Sequence, residues 1–268
     1  MTERSPISVI MPCRNAKATI SRALRSVAEQ TAVPEEVVVA DDVSTDDTWY
    51  FLDECRAAAW PFVLKVVRME FHSGPGVARN AAWREVSPRS RYVAFLDADD
   101  IWLPRKIETQ LRWMESHPAY GWSAHGCRIF EGPTRAEKAA TRPDSSLGFA
   151  PLSRHCMLIR NPVATPSVMA RCPVPSRFRS DWDRCEDLML WLDWLDAGFA
   201  GALLDEPLAM LGRPAKASGG LTGDLRRMFA GELRIFDTLV AEHRMSACMA
   251  GLWKLYASGR FQLRTLRA

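Results

Sequence analysis

Short apolar runs alternate with segments of helical periodicity over the first 117 residues, and this alternation limits the possible folds more than any other feature. The apolar runs cover residues 7–11, 37–40, 62–67 and 92–96. The segments between them, in which apolar residues recur at helical spacing, are 17–30, 44–60 and 77–86. Strands that alternate with helices form βαβ units with right-handed crossovers in a parallel sheet. We therefore expect an α/β fold whose first strand stops at Pro12 and whose fourth helix starts at Pro104.

The composition is that of a folded protein with a hydrophobic core. The 268 residues are 47% hydrophobic and 25% charged, which argues against a disordered chain. No run of 18 apolar residues is present, and the first residues lack the features of a signal peptide. The seven cysteines form no CxxC pair and no zinc-ligand spacing with histidine. We therefore expect a cytoplasmic protein with free, mostly buried thiols.

The pattern of the second half is less regular. We expect strands at 122–130 and 203–211, the latter broken by Pro207, a Trp-rich helix at 181–197, and one or two amphipathic helices at 224–257. The polar stretches rich in Gly, Pro or Ser, which predict a mobile loop and a flexible link, are 131–151 and 216–223.

Acidic clusters follow two of the predicted strands, at Asp41-Asp42 and at 97–100. Ligands of open α/β sheets bind beyond the carboxyl ends of the strands. Crowding several carboxylates at one sheet edge is unfavourable unless a cation is bound there, so the pattern predicts a cation site. The alternative is that these acids begin or cap the helices that follow, a role that suits Asp41 and Asp100 best.

Five motifs occur in a characteristic order: Ile7–Asn15, Val39–Thr48, Gly74–Asn80, Phe95–Pro104 and Glu186–Trp191. Together they resemble the family-2 glycosyltransferases of the GT-A fold, over roughly residues 5–215. The resemblance implies a Rossmann-like, mostly parallel central sheet flanked by helices, with a C-terminal helical extension. It implies a glycosyltransferase domain over 1–215, made of a nucleotide-sugar-binding half (1–117) and an acceptor-binding half (118–215). The basic tail would cover 216–268.

The resemblance also implies roles on the donor side. The implied metal ligands are Asp97 and Asp99, with Asp97 also facing the ribose, and the other implied donor-binding residues are Pro12, Asn15, Asp42, Arg79 and Ala98. Asp42 would hold the nucleotide base. Mn²⁺ or Mg²⁺ suits such a site because it prefers oxygen ligands and needs only one or two carboxylates when phosphates supply the rest. Arg14 stands where the family usually has an aromatic residue, and Val43 where it usually has glycine.

Alternatives remain for these donor-side residues. Asp41 and Asp42 could simply begin a helix at Ser44. Arg79 could form an ordinary salt bridge on a helix surface, which contributes little to stability.

On the acceptor side, the resemblance implies one-step displacement with inversion, in which a carboxylate deprotonates the acceptor hydroxyl. Asp187 is the expected base and Glu186 the second choice, the alternative being an acidic first helical turn that complements the dipole. Trp182 is the expected platform for an acceptor sugar, whereas Trp191 and Trp194 have the spacing of core residues. The candidates for contact with the diphosphate beyond the last strand are Arg213 and Lys216.

These inferences predict an inverting, metal-dependent glycosyltransferase that moves a sugar from a UDP-sugar to a sugar or a lipid-linked glycan, in surface polysaccharide or glycoconjugate synthesis. One alternative is a sugar-1-phosphate nucleotidyltransferase, but the Gly-rich basic loop that it needs is missing, since residues 12–20 contain no glycine. Another is a non-catalytic sugar-binding protein of transferase ancestry, which the two intact acid pairs disfavour.

The C-terminal segment 243–268 carries five Arg or Lys residues and no acid. Because the whole chain carries +3 and this segment +5, the remainder carries −2, which argues against a nucleic-acid partner. A basic amphipathic segment can lie on anionic lipid, with about 1 kcal/mol for each cation. We therefore expect possible peripheral contact with the inner face of the membrane, the alternative being a helix packed on the catalytic domain.

Overall fold

The computed structural model describes residues 4–130, 147–212 and 224–266. The helices and strands in these ranges are β1 (Ser5–Cys13), α1 (Ile20–Ala28), β2 (Pro34–Asp41), α2 (Thr48–Arg56), β3 (Val63–Arg68), α3 (Pro75–Arg84), β4 (Tyr92–Phe95), β5 (Ile101–Trp102), α4 (Lys106–Ser116), β6 (Trp122–Phe130), β7 (Phe149–Pro151), α5 (Arg154–Ile159), β8 (Met169–Arg171), α6 (Glu186–Asp196), β9 (Gly201–Gly212), α7 (Leu225–Ala241) and α8 (Ala247–Thr265). The described residues do not include most of the expected mobile loop or the expected link at 216–223. They also do not include Arg213 and Lys216.

The strands form one sheet in the order β3-β2-β1-β4-β8-β6-β9-β5, with β7 beside β9. The first four strands along the chain pair in parallel, as the βαβ pattern predicts. Strand β8 runs antiparallel to both β4 and β6, and β6 and β9 are parallel. The predicted α/β class is confirmed, with parallel pairing among the first four strands and mixed pairing among the others.

Alternate residues of the central strands face two hydrophobic clusters, one on each side of the sheet. In β2, Val38 and Ala40 join the first cluster, whereas Val37 and Val39 join the second. This is why the strand is a continuous apolar run: helices cover both of its faces. Helices α3 and α6 contribute to the first cluster, and so do α7 and α8, which therefore pack on the same face of the sheet.

Several boundaries differ from the sequence expectation. Strand β1 passes through Pro12 to Cys13 because Pro12 lies beyond the last β1–β4 pair, where a missing N–H is tolerated. Strand β9 is not broken at Pro207, since an irregular register opposite Gly126 accommodates it. Helix α6 begins at Glu186 rather than residue 181, and α8 extends past 257 to Thr265.

The predicted thiol chemistry is right in one respect and wrong in another. All seven cysteines are free, as expected. Only Cys13 and Cys55 are buried, however, while Cys156 and Cys248 are exposed and the other three are intermediate. Because these residues lie on surface helices and loops as well as in the sheet, the expectation of mostly buried thiols is wrong.

The C-terminal helices pack on the rest of the protein, and ion pairs join this segment to α6 and its two helices to each other. Arg244 pairs with Asp193 and Asp196 at 2.6 and 2.7 Å. Lys254 pairs with Asp237, and Arg260 with Glu232. No helix in the described ranges is long and apolar enough to cross a membrane.

Candidate active site

The carboxyl ends of β1, β2 and β4 meet at one edge of the sheet, because these neighbouring strands are parallel. The loops that follow them carry Asn15, Asp42 and Asp97, which brings the widely spaced motifs of the first hundred residues together. Pro12 lies buried at the end of β1, and Ala98 packs its side chain into the second hydrophobic cluster.

Asn15 joins the loops after β1 and β2. Its backbone N–H donates to Ser44 Oγ at 2.9 Å, and its side-chain Oδ1 accepts from the N–H of Thr45 at 2.8 Å. The Ser44 hydroxyl in turn donates to the buried carboxylate of Asp41. The expectation that Ser44 begins a helix is therefore wrong: its hydrogen bonds close the loop, and α2 begins at Thr48.

Val43 lies in this loop with φ +54°, in the left-handed region that favours glycine. A β-branched residue is strained there, because its side chain crowds the backbone. This conformation gives a physical reason for the glycine that the resembling family usually has at this position.

The carboxylate of Asp42 is buried and fully hydrogen-bonded. It accepts from the backbone N–H groups of Ser73 and Gly74 at 2.8 and 2.9 Å, and from His72 Nδ1 at 2.8 Å. Arg14 donates to the other ring nitrogen of His72, so the proton of the ring lies on Nδ1. In this structure Asp42 ties the loop before α3 to the end of β2, so the helix-start alternative for Asp42 is wrong. Its contact with a nucleotide base stays a prediction.

Arg79 bridges the two motifs that carry most of the expected chemistry. Its Nη2 donates to Asp97 Oδ1 at 2.7 Å, and its Nη1 to Glu186 Oε1 at 3.0 Å. The side chain is only 5% exposed, and its guanidinium lies 5.2 Å from the ring centroid of Phe178. Although burial opposes the charge, the two carboxylates raise the pKa of Arg79 and hold it ionised. The surface salt-bridge alternative is therefore wrong.

The Asp97–Asp100 loop presents one carboxylate outward and buries another. Asp99 is exposed, and Arg22 donates to its backbone carbonyl at 3.0 Å. Partial desolvation and the charge of Asp97 raise the pKa of Asp99 to about 6. Asp100 is buried and accepts from the N–H of Gly212 at 2.8 Å, so it braces the end of β9 rather than capping the next helix, which is preceded by Arg105.

The donor set of this loop fits a divalent cation. The carboxylates of Asp97 and Asp99 lie two positions apart in the sequence and repel each other. A cation bound between them would offset this repulsion. Within the described ranges, no group of three or more His, Cys, Asp or Glu side chains could hold a metal without further ligands. A cation here would take its remaining ligands from water or from the oxygen atoms of a bound phosphate.

Asp187 and Glu186 begin α6 but have different surroundings. Glu186 is buried against Arg79, and Gly76 permits its close approach, since a Cβ there would lie 3.1 Å from Glu186 Cγ. Asp187 accepts from the N–H of Leu188 at 2.7 Å and from the Thr165 hydroxyl at 3.3 Å. Burial and the charge of Glu186 raise the pKa of Asp187 to about 6. A carboxylate with a raised pKa is a stronger base than usual.

Trp182 is 2% exposed, and the guanidinium of Arg234 lies 4.6 Å from its ring centroid. Because the core and Arg234 cover it, Trp182 has no free face for a sugar, and the expectation of a platform is wrong in this structure. Trp191 and Trp194 lie in the core, as their helical spacing predicts.

Three residues of the site were not predicted from the sequence: His72, Thr165 and Phe178. None lies in a strand-end acidic cluster or has a motif spacing. Each acts through a contact with a residue distant in sequence, namely Asp42, Asp187 and Arg79.

Comparisons of sequence relate this chain to known proteins. The profile of Glycosyl transferase family 2 matches residues 8–181. The Bacillus subtilis protein TuaG, named as a glycosyltransferase of teichuronic acid biosynthesis, is 32% identical over 212 residues, which cover 78% of this chain and 80% of its own. The Escherichia coli enzyme WfgD, a UDP-Glc:alpha-D-GlcNAc-diphosphoundecaprenol beta-1,3-glucosyltransferase, is 39% identical over 108 residues. That match spans only 40% of either chain.

Solved structures share the fold. Staphylococcus aureus TarS 1-349 in complex with UDP-GlcNAc matches with a TM-score of 0.66 and 20% identity, over 87% of this chain and 66% of its own. The mannosyltransferase PcManGT from Pyrobaculum calidifontis, in complex with GDP-Man and Mn²⁺, matches with a TM-score of 0.63 and 19% identity, over 98% and 71%. At these identities the likeness concerns the arrangement of the chain alone.

Proposed function

This chain belongs to glycosyl transferase family 2, and from that premise we propose that it moves a sugar from a UDP-sugar to a hydroxyl group of a lipid-linked glycan, with inversion at the anomeric carbon. The observation that carries the proposal is the Arg79 bridge. One buried guanidinium holds Asp97 of the donor-side loop and Glu186 of α6, and Asp187 stands next to Glu186. The bridge thus fixes the spacing between the donor-side carboxylates and the expected base.

On the donor side, we propose that Asp97 and Asp99 hold Mn²⁺ or Mg²⁺, whose bound form acts as a Lewis acid on the leaving diphosphate. The exposed carboxylate of Asp99 and the crowding by Asp97 support this role. Pro12, Asn15, Asp42 and Ala98 border the same sheet edge and remain the proposed donor-binding residues.

On the acceptor side, we propose that Asp187 takes the proton of the attacking hydroxyl. The acceptor oxygen bonds to the anomeric carbon while the bond from that carbon to the diphosphate breaks, and the electron pair leaves with the diphosphate. Two contacts favour Asp187 over Glu186 as the base: Glu186 is already held by Arg79, whereas Asp187 accepts only from Leu188 and Thr165 among the described residues. The raised pKa of Asp187, about 6, suits a base that acts near neutral pH.

The lipid-linked acceptor is supported by the names of the relatives and by α8. WfgD acts on a diphosphoundecaprenol-linked sugar by name. Helix α8 exposes Leu252, Leu255 and Leu263, and the exposed Leu266 directly follows its last residue; their spacing places these leucines on one side of the helix. Peripheral contact with a membrane would rest mainly on these leucines. Of the basic tail residues that the structure describes, Arg244, Lys254 and Arg260 each pair with a carboxylate, whereas Arg264 has no carboxylate partner within the described residues.

The test is transfer from a UDP-sugar to a synthetic lipid-diphosphate sugar in the presence of Mn²⁺, scored by UDP release and product mass. We expect Asp187→Asn to lower kcat by about 10²–10⁴, with unchanged binding of UDP and Mn²⁺. The matched control is Asp183→Asn, an exposed carboxylate four residues earlier, which should keep full activity.

Full activity of Asp187→Asn would refute the assigned base. Pyrophosphate release from UTP and a sugar 1-phosphate would instead identify a nucleotidyltransferase. Binding of UDP-sugars without hydrolysis or transfer would identify a sugar-binding protein.

A further inference from the structure

A cavity of about 240 Å³ has Asp187 in its lining. Residues 157–161 form one wall, the start of α6 another, and α7 and α8 close the remaining sides. The C-terminal helices are therefore part of the boundary of the site, because without them Asp187 would face open solvent on this side.

The cavity has an apolar wall. Phe229 of α7 and Phe261 of α8 stack with ring centroids 4.5 Å apart, and both line it together with Met157, Met228 and Leu188. Unbranched Met side chains and flat aromatic rings adapt to apolar ligands of irregular shape. A wall of this kind suits a hydrocarbon chain better than a free oligosaccharide, which needs hydrogen-bonding groups.

The cavity also has an excess of positive charge. Arg260 is neutralised, since it pairs with Glu232 and donates to the carbonyl of Ile159. Arg160 and Arg264 also line the cavity, and neither has a carboxylate partner within the described residues. Two unpaired guanidinium groups over one apolar cavity fit an anion with planar or forked oxygens, such as a phosphate.

We propose that this cavity binds the phosphate-bearing, apolar end of the acceptor, with Arg160 and Arg264 recognising the phosphate and the Phe229–Phe261 pair contacting the chain. The proposal rests on the proposed function, because Asp187 in the same cavity must meet the hydroxyl of that acceptor. The proposal adds to the proposed function the residues that select a lipid phosphate over a neutral glycan.

A second feature supports this occupant. The exposed leucines of α8 include Leu263 and Leu266, which flank Arg264 and are 59% and 84% exposed. An acceptor whose phosphate reached Arg264 would thus place its hydrocarbon chain beside an apolar strip rather than in water. Charge and apolar surface therefore occur together at one helix end, as a lipid phosphate requires.

The experiment measures transfer with two acceptors that share one sugar: the first carries it on a lipid diphosphate, the second on a neutral alkyl chain of equal length. We expect Arg160→Gln and Arg264→Gln each to raise KM for the diphosphate acceptor by about tenfold or more. The values of kcat, KM for the UDP-sugar and KM for the neutral acceptor should stay within about twofold. Arg226→Gln, on the exposed side of α7 and outside the cavity, is the matched control.

Arg160→Lys and Arg264→Lys sharpen the result. They keep the charge but lose the forked geometry, so their KM should lie between those of the wild type and the glutamine variants. An inorganic diphosphate that competes with the acceptor in the wild type but not in the double glutamine variant gives a second readout.

Unchanged KM values in both glutamine variants would overturn the inference while leaving transfer intact. An equal rise of KM for both acceptors would also overturn it, because the arginines would then recognise the sugar rather than the phosphate. Absence of transfer in the wild type with every UDP-sugar tested would count against the proposed function itself, so the two failures are distinguishable.

Discussion

The donor-side edge of the sheet and the acceptor-side cavity differ in how far the protein satisfies its own polar groups. At the donor side, Asn15, Asp42 and Arg79 each have specific partners within the chain. At the acceptor side, Arg160 and Arg264 lack carboxylate partners among the described residues. Apart from the exposed carboxylate of Asp99, the donor side is a closed network, whereas the acceptor side leaves positive charge available for a ligand.

This difference separates the expected consequences of substitution. Removing one member of a closed, buried network leaves a partner without compensation, which lowers both stability and activity. Removing an unpaired surface arginine leaves the fold unaffected and lowers only the affinity for the ligand that it contacts. The following predictions test whether the two regions divide in this way.

The largest effect is expected for Arg79→Met. The change leaves Asp97 and Glu186 without their shared cation in a buried setting, so the free energy of unfolding should fall by about 3–5 kcal/mol and transfer should be lost. Urea denaturation followed by fluorescence measures the first effect. Arg84→Met, five residues along the same helix and exposed, is the control and should cost less than about 0.5 kcal/mol. A decrease in the free energy of unfolding of less than about 1 kcal/mol for Arg79→Met would contradict the description of the donor side as a closed network.

The second prediction concerns the pH dependence of kcat/KM for the acceptor. The pKa of Asp187 is raised to about 6, so the carboxylate is ionised above that pH and protonated below it. Since only the ionised form can accept the proton of the hydroxyl, and since kcat/KM reports the groups of the free enzyme, kcat/KM should be level above pH 6 and fall about tenfold per unit below it. The profile should be recorded at fixed substrate concentrations well below KM. A profile that stays level down to pH 4.5 would contradict the assignment of Asp187 as the base.

The smallest effect is expected for Val43→Gly. Glycine relieves the strain of the left-handed conformation, which stabilises the folded protein by about 1–2 kcal/mol. Its greater freedom in the unfolded chain destabilises the folded protein by roughly 0.5–1 kcal/mol. The free energy of unfolding should therefore rise by about 0.5–1 kcal/mol, measured by the same urea titration. Val63→Gly, in the extended edge strand β3, should lower it. A destabilised Val43→Gly would mean that the side chain contributes more to the loop than its backbone strain costs.

Much of the fold was predictable because it depends on local pattern. The parallel half of the sheet follows from apolar runs separated by helical segments, and the acidic strand ends follow from their position after those runs. The elements that sequence reasoning missed, β5, β7, β8 and α5, are two to six residues long. Such short elements carry too few residues to show a period, and the three strands among them are regular because they pair with distant strands.

The candidate site divides along the same line. The motifs placed Asp97, Asp99, Glu186 and Asp187 in the site from the sequence, and in the structure Arg79 joins the two acid pairs. The sequence had no means to predict that Trp182 would be covered by Arg234, because that contact spans about fifty residues between separate elements. Nor could it predict that His72 would occupy one side of Asp42.

The sequence by itself determined the order of strands and helices, the acids at the strand ends and the family to which the chain belongs, since each of these is written in neighbouring residues. Only the tertiary structure decided which carboxylate is neutralised and which stays available. Arg79 and Glu186 are 107 positions apart and meet because α3 and α6 pack on the same face of the sheet. The cavity beside Asp187 exists for the same reason, because α7 and α8 pack on that face and α8 brings Arg260 and Arg264 into its lining.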